Sequence, residues 1–505
     1  MGHRPGGLAR RRHAAASVLA ALAALGAASA AASAAQGDDA DEAARAIAEF
    51  VAHRQAYEDP QDPAALASTF SLDEQLERAP APLAEKERCD RELVHARLEA
   101  AWEQGLERAA GCPSKLRSGP PPEPGSEAEA RLARRVLALG KLVLDLMPDE
   151  IAAARSDTAA ERARFPKGPV AGALSDLEKA LAQVRSPASR PVRDYLRLLR
   201  KTAGYEGTLE DLLAMAEEES EACGERMEAL AEETGDASAA ALIERLKQDG
   251  AREDSVAVGR EEAQRSLAFA RGLFTIPDEA ASTLEVIEGT PRLHTPFGHY
   301  LPNGGPHHAG VYVVTTTQGT DVGAISRRRE SFRYMIRGVS AHEGIPGHHL
   351  HFTVATISHD PVRTLPFEGS TTEGWGLFVE GVLERAGYFK EPREARLTPI
   401  RMRRWRADRV ILDAGLQTGT LTREQAIGRL QRDVGFDRPV ATDEVDRYRE
   451  RGGYYAGYLL GARAFEAAER RALEKRGPEG ARALRDRILS FGPAAPLRAV
   501  VRLVR

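Results

Sequence analysis

Ser340-Ala-His-Glu-Gly-Ile-Pro-Gly-His-His-Leu-His351 is the stretch on which the reading of this chain turns. Upstream of it, Phe332, Met335, Ile336 and Val339 recur at helical spacing, so His342 and Glu343 are expected at the end of an amphipathic helix. Two histidines four apart on a helix chelate one metal, with a Glu directly after the first aimed at the bound water. Here the i+4 position is Pro346, and His348 and His349 fall at i+6 and i+7. On an unbroken helix, seven residues advance about 10.5 Å, too far to share a cation. The chain must therefore loop out. Pro346-Gly347 suits a loop, because proline interrupts the hydrogen-bond ladder and glycine takes unusual dihedrals. Excising Ile345, Pro346 and Gly347 brings His349 to the i+4 place, whereas a smaller bulge brings His348. Both stay candidates, one as ligand and the other as a hydrogen-bonding or substrate-facing neighbour.

Thr372-Glu-Gly-Trp-Gly-Leu-Phe-Val-Glu380 is the expected partner, with Glu373 lying 31 positions beyond His342. Trp375, Phe378, Val379, Val382 and Leu383 form an apolar helical stripe. At 100° per residue, Glu373 and Glu380 fall within about 20° of each other on the opposite face. Glu373 is the expected third ligand, and Glu380 the acceptor behind a ligating histidine. Gly374 and Gly376 would let another helix approach closely. Two imidazoles and a carboxylate around Zn²⁺, with Glu343 free to act as general base, equip a hydrolytic site. The expected reaction is hydrolysis of short or unstructured peptides by a zinc-activated water that surrenders its proton to Glu343.

Composition agrees with that reading. The chain has 505 residues, 42% hydrophobic and 29% charged, as in ordinary soluble protein rather than disordered or membrane-embedded chain. A net charge of −5 gives no reason to expect nucleic acid as a partner. Arg4, Arg10, Arg11 and Arg12 precede an Ala/Leu/Val run from Ala14 to about Ala32, and Ala32-Ser33-Ala34 offers small residues for cleavage. Residues 1–34 thus read as a signal peptide, implying export to the periplasm or medium. No cysteine follows the apolar run, which argues against a lipid anchor, and no later run is apolar enough to cross a bilayer. Cys89, Cys112 and Cys223 include no CxxC pair, so a thiolate metal site is not expected. Cys89 and Cys112 are the pair an exported chain could bridge.

Residues 35–282 read as a helical N-terminal part. Helices are expected over residues 37–59, from Glu127 to Met147 with Pro148 as a stop, as a pair over residues 170–203, and from Thr208 with an Asp211 capping box. The pattern resumes over Ala239–Leu246 and Arg260–Leu273. Residues 283–505 read as the metal-binding part, continuous with what precedes it. Leu284–Glu288 is expected to be extended, and Val311–Thr317 to be a strand able to pair by its edge with a peptide, after a loop whose His307 and His308 read first as surface histidines and second as facing the cleft. Helices are then expected at 372–386, 396–418, 422–434 and 442–476, with a short one at the C-terminus.

His342-Glu-Gly-Ile-Pro-Gly-His-His-Leu-His351, then Glu373-Gly-Trp-Gly-Leu-Phe-Val-Glu380, then Arg447-Tyr448 with Tyr458 and Gly461, resemble the bacterial family called domain of unknown function 885. The match spans roughly residues 190–500. The resemblance implies a mainly α, zincin-like (gluzincin-type) body with one small sheet near the active site, a zinc-peptidase activity, and Tyr458 as donor to the developing oxyanion. Two features depart from the family pattern: Gly452-Gly-Tyr-Tyr-Ala456 stands where Pro-Gly-Gln-Ala is usual, and Gln417 where histidine is more common. They bear on substrate contacts more than on the metal. Two other readings use the same residues: a non-catalytic periplasmic metal- or peptide-binding protein, and a metal-dependent amidohydrolase acting on non-peptide substrates.

Overall fold

The computed structural model describes residues 48, 89–90, 92–94, 113–116, 121–140, 148–183, 192–250, 254–289, 297–302, 310–315, 319–360, 362–364, 369–450 and 452–504. The signal-peptide segment, the 37–59 helix apart from residue 48, Cys112, His307 and His308 lie outside them. Two compact units divide the chain, 1–186 and 187–505. In the first, helices α1 (Glu127–Gly140), α2 (Pro148–Arg164) and α3 (Pro169–Gln183) close on Leu132, Val136, Ile151, Phe165, Leu174 and Leu177. Pro148 begins α2 rather than merely ending its predecessor, since a missing N–H costs nothing in a first helical turn.

The second unit is mainly α with a small sheet. In order it contains α4 (Val192–Ala203), α5 (Leu209–Thr234), α6 (Ala239–Gly250), α7 (Ser255–Ala270), α8 (Asp278–Ser282), β1 (Leu284–Glu288), β2 (Gly298–Leu301), β3 (Gly310–Val314), α9 (Val322–Glu330), α10 (Arg333–Glu343) and α11 (His348–Ile357). It continues with α12 (Gly369–Arg385), α13 (Leu397–Thr418), α14 (Arg423–Arg429), α15 (Arg438–Glu450), α16 (Ala456–Phe491) and α17 (Leu497–Leu503). The capping box at α5 is present: Thr208 Oγ1 accepts from the Asp211 N–H, and the Asp211 carboxylate accepts from the Thr208 N–H. Met227, Ile243, Tyr312, Met335, Trp405 and Phe436 join one core beneath the sheet. No helix among the described residues is long and apolar enough to cross a membrane.

Two expectations need correction. The strand beginning near Val311 is the middle of the sheet, in order β1-β3-β2, parallel to β1 and antiparallel to β2. Both its edges are taken and all five of its residues are buried, so it offers no edge to a peptide. β1 and β2 are the two outer strands. The helix expected over 442–476 is two helices, α15 and α16, separated by a turn in which Gly453 adopts φ +79°, a left-handed conformation suited to glycine. The second of them runs on past a kink at Gly477-Pro478 to Phe491.

Asp413 on α13 holds that turn. Its Oδ2 accepts the Gly453 N–H at 2.8 Å and the Tyr195 hydroxyl at 3.0 Å. Burial pushes the Asp413 carboxyl up to about 7, against the downward pull of those hydrogen bonds. The fold therefore keeps a proton that the unfolded chain releases. This group's contribution is complete below about pH 4 and is lost as pH rises through 7, by on the order of 4 kcal/mol in all. Asp413→Asn, which keeps the acceptor but cannot ionise, should flatten this slope. Urea midpoints at pH 5 and pH 8 should show wild type losing on the order of 2 kcal/mol more than the variant; equal losses would contradict the assignment.

Candidate metal centre

The loop between α10 and α11 decides which histidine joins His342. The Gly347 N–H donates to the Ala341 carbonyl at 3.0 Å, the bond that a continuous helix would give to residue 345. The insertion is therefore two residues, and His348 takes the i+4 place. Two buried groups hold the loop: Ser266 Oγ donates to the Ile345 carbonyl, and Trp375 Nε1 donates to the Pro346 carbonyl at 3.0 Å. A Cβ at Gly347 would lie 1.8 Å from the His342 carbonyl oxygen, so only glycine fits there.

His342 and His348 meet at 4.6 Å between ring centroids, nearly perpendicular. Glu373 Oε2 lies 3.6 Å from His342 Nε2 and 3.4 Å from His348 Nε2. Glu343 Oε2 is 3.9 Å from His348 Nε2, and the ligand atoms of His342, Glu343 and His348 all fall within 4.8 Å of one another. Two carboxylates thus compete for the third position, and distance separates them. Around a tetrahedral Zn²⁺ with bonds of about 2.0–2.1 Å, adjacent ligand atoms stand about 3.3–3.4 Å apart. Glu373 meets that edge to both histidines more closely than Glu343 does to one. The donor set fits zinc, with Glu343 beside it.

Outer contacts orient these groups. His342 Nδ1 lies 2.7 Å from Glu380 Oε1, and Tyr454 donates to Glu373 Oε1 at 2.6 Å. Burial alone would lower the His342 imidazolium, but hydrogen bonds to Glu373 and Glu380 raise it to about 9. Burial would raise the Glu373 carboxyl, yet its histidine partners hold it well below the usual range. Tyr458 stacks against Tyr454 at 5.9 Å and lines the same cleft, its phenol pushed up by burial and by the nearby Glu373.

His349 points elsewhere. Its Nε2 donates to the Ala280 carbonyl at 2.9 Å, leaving Nδ1 to accept from the Tyr300 hydroxyl at 3.1 Å. Burial lowers it to about 4, so it is neutral. His342, Glu343, His348, Glu373, Glu380 and Tyr458 are thus brought together, and His349 is not. Sequence reasoning missed Tyr454, His299, Tyr300, Arg406 and Arg409, which line a cleft of about 560 Å³. The repeat of Trp405, Arg406 and Arg409 along one helix face was the available signal.

Gly376 sets the approach of α12 to α10: a Cβ there would lie 2.3 Å from His342 Cε1. Gly376→Ala should displace the imidazole and weaken zinc binding by about 10–100-fold, the scale of damage to supporting contacts around a metal. Zinc titration with a competing chelator would read this, and unchanged affinity would show that the ring has room.

The bacterial family described as "Bacterial protein of unknown function (DUF885)" matches residues 3–504. A solved structure from Shewanella oneidensis, described as "a putative lipoprotein of unknown function", has a TM-score of 0.63 at 16% identity, covering 93% of this chain and 100% of that one. Another, from Colwellia psychrerythraea and described as "the putative lipoprotein", has a TM-score of 0.54 at 19% identity, covering 86% of this chain and 78% of that one. Both likenesses are of fold. No curated protein matches. By the span of its match, nearly end to end, the chain belongs to the bacterial family DUF885.

Proposed function

We propose that this chain is an exported zinc-dependent metallopeptidase acting on short or unstructured peptides. The observation that carries the reading is the placement of Glu373 Oε2 at 3.6 and 3.4 Å from the two imidazole nitrogens, the edge of a tetrahedral zinc site. His342, His348 and Glu373 would hold the ion, with His342 steadied by Glu380 and Glu373 by Tyr454. A bound Zn²⁺ supplies a Lewis acid that acidifies water and polarises a carbonyl. Glu343, 8% exposed and lining the cleft, takes a proton from the attacking water and returns it to the leaving amine. Tyr458 keeps its proton and donates to the oxygen on which negative charge develops. β2, one of the two outer strands, contributes His299 and Tyr300 to the cleft wall and offers an extended peptide an edge.

Export is supported by the basic, then apolar, start of the chain and by the two solved likenesses described as lipoproteins. The reading is of a periplasmic or secreted protein.

Full-length protein incubated with a peptide mixture should give cleavage products by mass spectrometry, lost with a chelator and restored by Zn²⁺. Glu343→Gln should keep its zinc while hydrolysis falls by about 10²–10⁴-fold, the usual share of general acid–base catalysis. Unchanged turnover would remove Glu343 from the mechanism. A zinc-free wild type that cleaves equally well would end the reading.

A further inference from the structure

Helix α13 turns Met402, Trp405, Arg406 and Arg409, spaced i, i+3, i+4 and i+7, towards the cleft. The two guanidiniums lie over the Trp405 ring, 4.2 and 3.9 Å from its centroid. Their charges are treated differently. Arg409 donates through Nη2 to Glu444 at 2.9 Å and through Nε to the Tyr448 hydroxyl at 3.2 Å. Arg406 pairs with no carboxylate among the described residues: Nη1 donates to the Met402 sulfur, a weak acceptor, and Nε is buried without a partner. The residue is 4% exposed.

Burying a charge is costly unless an anion answers it. Glu380 and Glu373 act on Arg406 only through space, and both are bound to His342 instead. On the metallopeptidase reading, on which this inference rests, the cation also takes up the charge of Glu373. Arg406 is then a buried positive charge in the cleft that forms no ion pair among the described residues, with Glu380 acting on it only through space.

We propose that Arg406 is the receptor for a carboxylate of the substrate, supplied by the C-terminus of a short peptide or by an acidic side chain. A guanidinium offers a planar fork that matches a carboxylate in two parallel hydrogen bonds, and the Trp405 face holds that plane. Its place beside Tyr458, over whose ring it lies at 5.6 Å, puts the anchored end within the cleft that holds the reacting residues. Anchoring by the terminal carboxylate confines cleavage to bonds near the C-terminus of a chain. Anchoring by a side chain confines it to bonds near an acidic residue.

Binding separates this proposal from the activity. Zinc-loaded Glu343→Gln protein would be titrated by calorimetry with three probes: Ala-Ala-Phe as free acid, Ala-Ala-Phe amide, and Ala-Glu-Phe amide. The free acid should bind at least tenfold more tightly than its amide, and adding Arg406→Gln should shrink that gap to under twofold. Ala-Glu-Phe amide binding as well as the free acid, again dependent on Arg406, would assign the carboxylate to a side chain. Arg406→Lys, which keeps the charge and loses the fork, should recover only part of the preference. Equal binding of all three probes, no binding of any, or an acid preference that survives Arg406→Gln would overturn the proposal. The comparison of acid with amide needs no change at Arg406, so a misfolded variant does not leave the question open. A preference for the acid alongside a wild type that cleaves none of these peptides with zinc present would strike the peptidase reading and leave the carboxylate receptor standing.

Discussion

The separation of α10 and α12 governs the centre of this molecule, and it is set by the absence of a side chain. Gly376 faces the His342 ring where a methyl group would overlap it. Two residues earlier, on the opposite side of the helix, Gly374 meets Gly461 of α16, and a Cβ on Gly374 would lie 2.6 Å from the Gly461 Cα. Helix α12 is therefore drawn close to a neighbour on either side. That closeness lets one helix present Glu373 and Glu380 to the two nitrogens of a single imidazole, and lets Tyr454, from the turn before α16, reach Glu373. Each of these groups is polar; His342 and Glu380 are buried, and Glu373 and Tyr454 are partly buried. A buried carboxylate left without a partner costs far more than the net worth of the pair, so the helices cannot separate slightly; they hold the whole cluster or lose it.

The elements that bury a continuous apolar stripe were legible in the sequence. Trp375, Phe378, Val379, Val382 and Leu383 fixed the face of α12, and with it the shared face of Glu373 and Glu380, because helical period leaves no other choice. The capping box at Thr208 was legible for the same local reason. The size of the insertion after Glu343 was not, since loops of two or three residues both restore a histidine to the i+4 place. The choice is made by the Gly347 N–H on the Ala341 carbonyl and by Ser266 and Trp375, which arrive from other helices. The β-branched run at Val311 announced a strand but not its neighbours, which come from residues 284–288 and 298–301. The break at Gly452-Gly453 was present as two glycines within a strong helical pattern, and their cost becomes worthwhile only where Asp413 waits to accept the turn's N–H. The burial that makes Arg406 and Arg409 cleft wall is invisible in composition.

Adjacent residues of the motif do two different jobs, and the two-residue insertion assigns both. His348 turns to Glu373, while His349, about 100° further round the helix, turns to the sheet and accepts from Tyr300 of β2. β2 is thereby tied to the same turn of helix that carries the imidazole facing Glu373. Tyr300 also stacks on Phe352, one turn later on α11, at 5.5 Å. A peptide lying along β2 would be placed relative to His348 by a single residue of spacing rather than by a chain of loops. Had the insertion been three residues, His349 would have faced the carboxylates and the strand would have lost its hydrogen bond. The Pro-Gly break fixes the geometry of the site and the position of the cleft wall together, so neither could drift without the other.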